Sequence, residues 1–248
     1  MRILAIDCGN TRLKIAWFDR LAASDVTALG YADLAAFDAL LVAACDKIGQ
    51  PDRVVISNVA GDEIRSALTD LLRPLRAEAQ WIQARAVQCG VTNRYQDPGQ
   101  LGSDRWAALI GAWGREGKAC LVVNAGTATT VDALSDAGTF EGGLILPGFD
   151  MMREALASGT AGLPRAAGRD TAFPRNTADA IWSGCVGAQA GAIERMRRHL
   201  PIAAPCVLSG GAAQSLLPAL NTPCYVEDNL LLEGLARIAM EDFGTGAS

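Results

Sequence analysis

A six-residue pattern occurs twice, about half the chain apart, and it narrows the choice of folds more than any other feature. Ile6-Asp7-Cys8-Gly9-Asn10-Thr11 matches Val123-Asn124-Ala125-Gly126-Thr127-Ala128 when the two are aligned on their glycines. Each copy ends a short apolar run, Ile3-Leu4-Ala5-Ile6 in the first and Cys120-Leu121-Val122-Val123 in the second. After each turn the strand character resumes, in Arg12–Phe18 and in Val131–Leu134. A buried strand, a turn and a second strand produce this sequence of residues. The repeat marks a duplicated unit. Its boundary falls near residues 114–118, which divides the 248 residues into domains 1–115 and 116–248.

In the first copy Gly9-Asn10 is expected to form a two-residue hairpin, because both residues tolerate the positive φ of a primed turn. Backbone N–H groups, the Thr11 hydroxyl and the Lys14 ammonium are donors suited to a phosphate chain. Asp7, at the strand end, is a natural partner for Mg²⁺. Further strands are expected at Val26–Gly30, Val54–Val59 and Ala79–Ile82, with helices at Leu34–Ile48, stopped by Gly49, and at Asp62–Leu72. The polar stretch Arg85–Gly102 reads as one long loop. Ser103 then caps a helix whose apolar face is Trp106, Leu109, Ile110 and Trp113. The second half adds a glycine-rich strand end at Phe140–Gly148, a long helix Ala178–Arg198 and a strand running from Ala204 into Ser209-Gly210-Gly211. A last helix, Leu230–Asp242, precedes residues expected to fray.

Composition removes several classes of function. The net charge is −5 and no basic stripe is present, which argues against nucleic acid as a partner. Seven cysteines without a Cys-x-x-Cys pair, beside the single His199, leave zinc no ligand set; the thiols read as small buried residues in a reducing compartment. The chain begins as strand rather than as a secretion signal, and no apolar run approaches membrane-spanning length. A cytoplasmic protein without membrane partners is expected. No Gly-x-Gly-x-x-Gly follows a strand and opens a helix, so Rossmann dinucleotide binding fails.

Seven motifs stand in a specific order: Asp7-x-Gly9-Asn10-Thr11-Arg12-x-Lys14; Tyr95 ahead of Pro98 and Leu101; Gly102-Ser103-Asp104-Arg105; Gly126-Thr127-Ala128-x-Thr130-x-Asp132; Gly142-Gly143-x-Ile145-x-Pro147-Gly148; Asn176-Thr177; and Ser209-Gly210-Gly211. In this order and spacing the chain resembles the type III pantothenate kinases, also called Bvg accessory factors, within the superfamily of acetate and sugar kinases, heat-shock chaperones and actin. The resemblance implies an α/β protein of two duplicated ribonuclease-H-like domains with an interdomain nucleotide cleft. It implies ATP-dependent phosphorylation of pantothenate to 4'-phosphopantothenate, the first step of coenzyme A biosynthesis, by a homodimer. The alternative is a catalytically weak or inactive regulatory or binding protein on the same fold.

The same resemblance assigns residues. Asp7, Cys8, Gly9, Asn10, Thr11, Arg12, Leu13 and Lys14 would hold the phosphates of ATP, and Asp7 also the Mg²⁺. Thr127 would contact the nucleotide from the second turn, and Gly210-Gly211 would let backbone pass close to the adenosine. Asp104 would accept the substrate hydroxyl's proton, and Arg105 would pair with the pantothenate carboxylate through its planar fork. Gly102, Ser103, Tyr95 and Thr177 match positions that meet the same substrate; by position alone Thr177 would cap the Ala178 helix. Asn124 stands where the family commonly carries an aspartate that helps bind a monovalent cation, potassium or ammonium. It keeps an oxygen ligand without the charge, so weakened cation binding is expected.

Overall fold

In a computed structural model, residues 1–31, 34–163, 167–221 and 223–245 are described; of the residues expected to fray, 246–248 lie outside these. The first half builds a five-stranded sheet from β1 (Arg2–Cys8), β2 (Arg12–Asp19), β3 (Ala22–Gly30), β4 (Arg53–Asn58) and β5 (Ala79–Trp81), in the order β3-β2-β1-β4-β5. Helix α1 (Leu34–Ile48) links β3 to β4, and α2 (Asp62–Leu72) links β4 to β5. The stretch expected as one loop holds a small hairpin, β6 (Val87–Gln88) with β7 (Val91–Asn93), and a 3-10 turn at Pro98–Gln100. Helix α3 (Ser103–Glu116) follows, and the Trp106 indole N–H donates to Gln88 Oε1 at 2.9 Å, which ties the hairpin to it.

The second half repeats the plan with β8 (Cys120–Ala125), β9 (Ala128–Leu134), β10 (Thr139–Pro147), β11 (Cys206–Ser209) and β12 (Cys224–Val226). Its strands run in the order β10-β9-β8-β11-β12. In each half the first strand pairs antiparallel with the second and parallel with the fourth. The third strand is antiparallel to the second, and the fifth parallel to the fourth. The sequence repeat is therefore a repeat of topology, two ribonuclease-H-like halves of an α/β fold. Helices α4 (Phe149–Gly159), α5 (Thr177–Arg197) and the single turn α6 (Ala213–Leu216) complete the second half.

The chain divides into two compact units, Met1–Arg115 with Asn229–Ser248, and Glu116–Asp228. The last helix, α7 (Leu230–Thr245), belongs to the first unit. Side-chain alternation along the strands explains why it is needed there. Leu4, Ile6, Ile15, Val54 and Ile56 pack with Phe37 and Leu41 of α1 and with Leu68 and Leu72 of α2. The opposite face, carrying Ile3, Ala5 and Val55, is just as apolar and lies against α7, whose Leu232, Leu235 and Ile238 are buried. A sheet with both faces apolar must be covered twice.

Helices α3 and α7 approach so closely that a methyl group on Gly111 would strike the Leu230 carbonyl, and one on Gly234 the Ala107 carbonyl. Only glycine permits that contact. Arg115 closes the same crossing with two hydrogen bonds to Glu233, at 2.6 and 2.5 Å. In the second unit Leu121, Val123 and Val131 pack with Phe149 of α4 and with Ile181, Val186 and Ile193 of α5. No helix among the described residues is long and apolar enough to cross a membrane.

Candidate active site

Register places the first carboxylate. Asp7 stands opposite Lys14 on β2 and opposite Ser57 on β4. Residues in register share a face, and this is the face of Ile3 and Ala5. Ser57 and Ser103 are both buried, with their hydroxyl oxygens 2.9 Å apart. That bond fastens the start of α3 to the strand beside Asp7.

Ser103 does not cap the helix, contrary to the sequence-based expectation. The carbonyl of Gly102 takes the first helical bond, from Trp106 N at 3.0 Å, so the cap position is Gly102 and the Ser103 hydroxyl is left for Ser57. Asp104 Oδ1 accepts the backbone N–H of Arg105 at 2.8 Å, a carboxylate satisfied within the first turn, where the helix dipole favours negative charge. Burial nevertheless pushes the Asp104 carboxyl up, against the pull of that bond and of the Arg105 guanidinium.

Asp7 is pushed further, from 3.8 to about 7. Burial is the main cause, the Asp104 carboxylate adds repulsion, and Lys14 pulls the other way. Asp7 Oδ1 is sealed from solvent and has no hydrogen-bond partner among the described residues. A buried carboxylate oxygen left in this way is costly in a protein without its ligand, and a cation arriving at it removes the cost.

The turn after β1 differs from a primed hairpin. Cys8 pairs with Leu13, so four residues, Gly9 to Arg12, make the connection, and none of them has positive φ. A loop of that length closes without left-handed residues. Gly9 N donates to the Arg12 carbonyl at 3.2 Å, and the Tyr31 hydroxyl donates to the Gly9 carbonyl at 2.5 Å. Asn10, Thr11 and Arg12 are exposed. Cys8 and Leu13 are core residues, fully buried, so their side chains do not reach a phosphate.

Arg105 is 6% exposed, and its Nη1 donates to the Tyr95 hydroxyl at 3.0 Å while the guanidinium carbon lies 5.7 Å from the centre of that ring. The segment carrying Tyr95 is braced by Asn93, which accepts from Tyr95 N and donates to the Pro98 carbonyl. Tyr95 and Arg105, ten residues apart in sequence, are thereby joined in one hydrogen-bonded unit. Its planar cation has lost most of its water, which strengthens its attraction for an anion.

In the second unit Asn124 is in register with Thr130 and Ser209. Gly210, at φ +93, lies so near that a Cβ would sit 2.6 Å from Asn124 Oδ1. Ala212 N donates to the Ala125 carbonyl at 3.0 Å, so the Ser-Gly-Gly end of β11 wraps the second turn. Thr127 is exposed there, and its carbonyl accepts from Gly148 N at 2.9 Å. Thr177 is exposed at the first position of α5 but is not its cap: Asn176 accepts from Asp179 N at 2.9 Å, the geometry that an asparagine side chain at that position favours.

Three supporting residues escaped the reading of the sequence. Ser57 was visible only as a polar residue inside an apolar strand, and Tyr31 carried no signal. Gln189, fully buried on α5, accepts from Thr129 Oγ1 at 2.9 Å beside the second turn; its mark was a polar residue on an apolar helix face.

Residues 3–199 match the family model described as type III pantothenate kinase. The chain belongs to the type III pantothenate kinase family. A type III pantothenate kinase from Aromatoleum aromaticum is 54% identical over 245 residues, covering 97% of this chain and 98% of that protein. Among solved structures, a Baf family protein from Campylobacter jejuni has a TM-score of 0.64 at 21% identity, covering 97% of this chain and 99% of that one. The (R)-2-hydroxyglutaryl-CoA dehydratase component A from Acidaminococcus fermentans has a TM-score of 0.59 at 13% identity and full coverage of both chains. At those identities the structures show a shared fold. The pantothenate kinase family assignment rests on the sequence relatives and spans nearly the whole chain.

Proposed function

We propose that the protein transfers the γ-phosphoryl group of ATP to the primary hydroxyl of pantothenate, giving 4'-phosphopantothenate and ADP, the first step towards coenzyme A. The carrying observation is that the Ser57–Ser103 bond brings the start of α3, with Asp104 and Arg105, to the strand beside Asp7, close enough for the Asp104 carboxylate to repel that of Asp7. Phosphoryl transfer needs positioned oxygens and dispersed charge more than covalent chemistry. The backbone of the exposed residues Asn10, Thr11 and Arg12, the Thr11 hydroxyl and the Lys14 ammonium supply donors for the phosphates. The unpartnered Asp7 oxygen fits Mg²⁺, which keeps most of its waters and takes one or two carboxylates beside phosphate oxygens. Bound there, the ion would neutralise charge on the β- and γ-phosphates.

Asp104 holds the substrate hydroxyl and accepts its proton late, since a loose transition state asks more for orientation than for basicity. Arg105, held by Tyr95, pairs with the pantothenate carboxylate and fixes the distance from that end of the substrate to the hydroxyl. Thr127 and Thr177, both exposed, are proposed to contact nucleotide and pantothenate respectively. Asn124 offers a potassium or ammonium ion an oxygen without charge, so the cation response is weak. A homodimer in the cytoplasm belongs to the same reading.

The test is ADP release by the purified protein with and without pantothenate, with the product identified by mass. Release should depend on pantothenate, and Asp104→Asn should lower it by about 10² or more while circular dichroism is unchanged. Release that ignores pantothenate, or an Asp104→Asn protein of near-normal turnover, would overturn the proposal.

A further inference from the structure

Two thiols meet at the outer edge of the second sheet. Cys206 opens β11 and Cys224 opens β12; the strands run parallel, and these residues are direct register partners. Both project to the face that carries Leu121, Val123 and Leu208. Their side chains are hydrogen-bonded to each other, with the Cys206 thiol donating to the Cys224 sulfur. No other cysteine is so placed. Cys120 on β8 is one residue out of step with Cys206, whose partner there is Leu121, so it projects to the opposite face. Cys185 precedes Glu194 on α5 by about 13 Å of helix axis, and Glu194 and Arg197 are the α5 charges that reach Cys224.

We propose that Cys206 and Cys224 form a dithiol that a low-molecular-weight disulfide converts, reversibly, into a cross-strand disulfide. The Cys224 thiolate attacks one sulfur of the oxidant, giving a mixed disulfide and one small thiolate. The Cys206 sulfur then attacks the Cys224 sulfur, its proton passing to the second small thiolate as that group leaves. Two protein thiols lose two electrons and two protons, and the oxidant becomes two thiols. Cys224 is the attacking member because it is half-buried, whereas Cys206 is fully buried. The bond from Cys206 also lowers the Cys224 thiol, with help from Arg197 and against burial and Glu194, while Cys206 itself is held protonated by donating that bond.

Adjacent strands lie about 4.7–4.9 Å apart, within the span of roughly 4.4–6.8 Å between the Cα atoms of a disulfide. The Cβ atoms must close by up to about an ångström to reach bonding distance. β12 can yield that much, being a three-residue strand at the edge of its sheet. A bond made by such a displacement is readily reduced, which makes the change reversible.

Trypsin reads the outcome directly, because the peptide His199–Arg237 contains Cys206 and Cys224, no other cysteine and no internal lysine or arginine. Native protein treated with oxidised glutathione, alkylated and digested should give this peptide two hydrogens lighter, and dithiothreitol should restore it. Cys206→Ser should stop at a stable glutathione adduct on Cys224, and Cys224→Ser should give neither adduct nor bond. An unchanged wild-type peptide overturns the proposal. So does a stable adduct without the internal bond, or a bond that forms only in urea. The wild-type measurement decides even where a variant folds poorly.

Discussion

Replacing Asp7 with asparagine should stabilise the protein without ligand while abolishing the magnesium binding proposed there. A carboxyl moved from 3.8 to about 7 disfavours the folded state by ~4 kcal/mol once ionised, at roughly 1.36 kcal/mol per pH unit. Part of the Asp7 residue is open to solvent, which screens the interaction and leaves about 2–4 kcal/mol. The sign follows from where the proton sits. Below 3.8 both folded and unfolded chains hold it, and there is no penalty. Between 3.8 and about 7 the folded chain keeps a proton that the unfolded chain has lost, so stability falls as pH rises. Above about 7 the penalty is complete. Thermal midpoints of wild type and Asp7→Asn should therefore agree near pH 4 and diverge by pH 8, with the variant higher by on the order of 10 °C. Carboxyls remote from Asp7 cancel in the difference, including Asp52 and Asp179, which backbone hydrogen bonds hold low. Magnesium with ATP should raise the wild-type midpoint at pH 8 and leave the variant unmoved. Parallel pH profiles, or an equal magnesium response in both proteins, would refute the argument.

Arg105→Lys keeps the charge and loses the planar fork held by Tyr95, so pantothenate affinity measured by calorimetry should fall about tenfold or more with little change in ATP affinity. Asn124→Asp adds a charge to an oxygen beside Gly210, worth up to several kcal/mol at an effective dielectric near 20 before desolvation is subtracted. Its turnover should respond to potassium and ammonium at constant ionic strength where the wild-type response is weak; strong and equal activation of both would reject that view. Gly234→Ala should drive a methyl into the Ala107 carbonyl and lower stability by about 1–3 kcal/mol, seen as a reduced urea midpoint.

The sequence carried α1 and α2 to their observed bounds, because a glycine with φ +93 stops the first and acidic residues open the second. The duplication was legible for a similar reason: each strand–turn unit is local, and its apolar run announces it. The hairpin β6–β7 was not, since strands of two and three residues are too short to show a period. Asp7 and Asp104 were each conspicuous, but their mutual repulsion depends on Ser57 holding Ser103, a contact across 46 residues that no local pattern encodes. The last helix was visible as a helix, yet an apolar face does not say which core it covers. Nor could the sequence show that Tyr95 serves as a partner of Arg105, because the segment between them is irregular and its path is set by Asn93 and Asp97.

The return of α7 to the first unit has a consequence for biosynthesis. Every residue of the Asp7–Asp104–Arg105 group has been made before the ribosome begins the second unit, but the helix that covers Ile3, Ala5 and Val55 comes only after it. At about 5–20 residues per second, the nascent first unit waits on the order of ten seconds with one side of its sheet bare. During that interval α3 lacks the glycine crossing that seats it, and the Ser57–Ser103 bond alone ties its start to the strand of Asp7. Chains cut short before residue 230 carry Asp7, Asp104 and Arg105 with the Ser57–Ser103 bond but without the α7 crossing, and they expose an apolar surface that chaperones and proteases read as unfinished. The core of the first unit is thus completed by the end of the message rather than by the part that encodes its carboxylates.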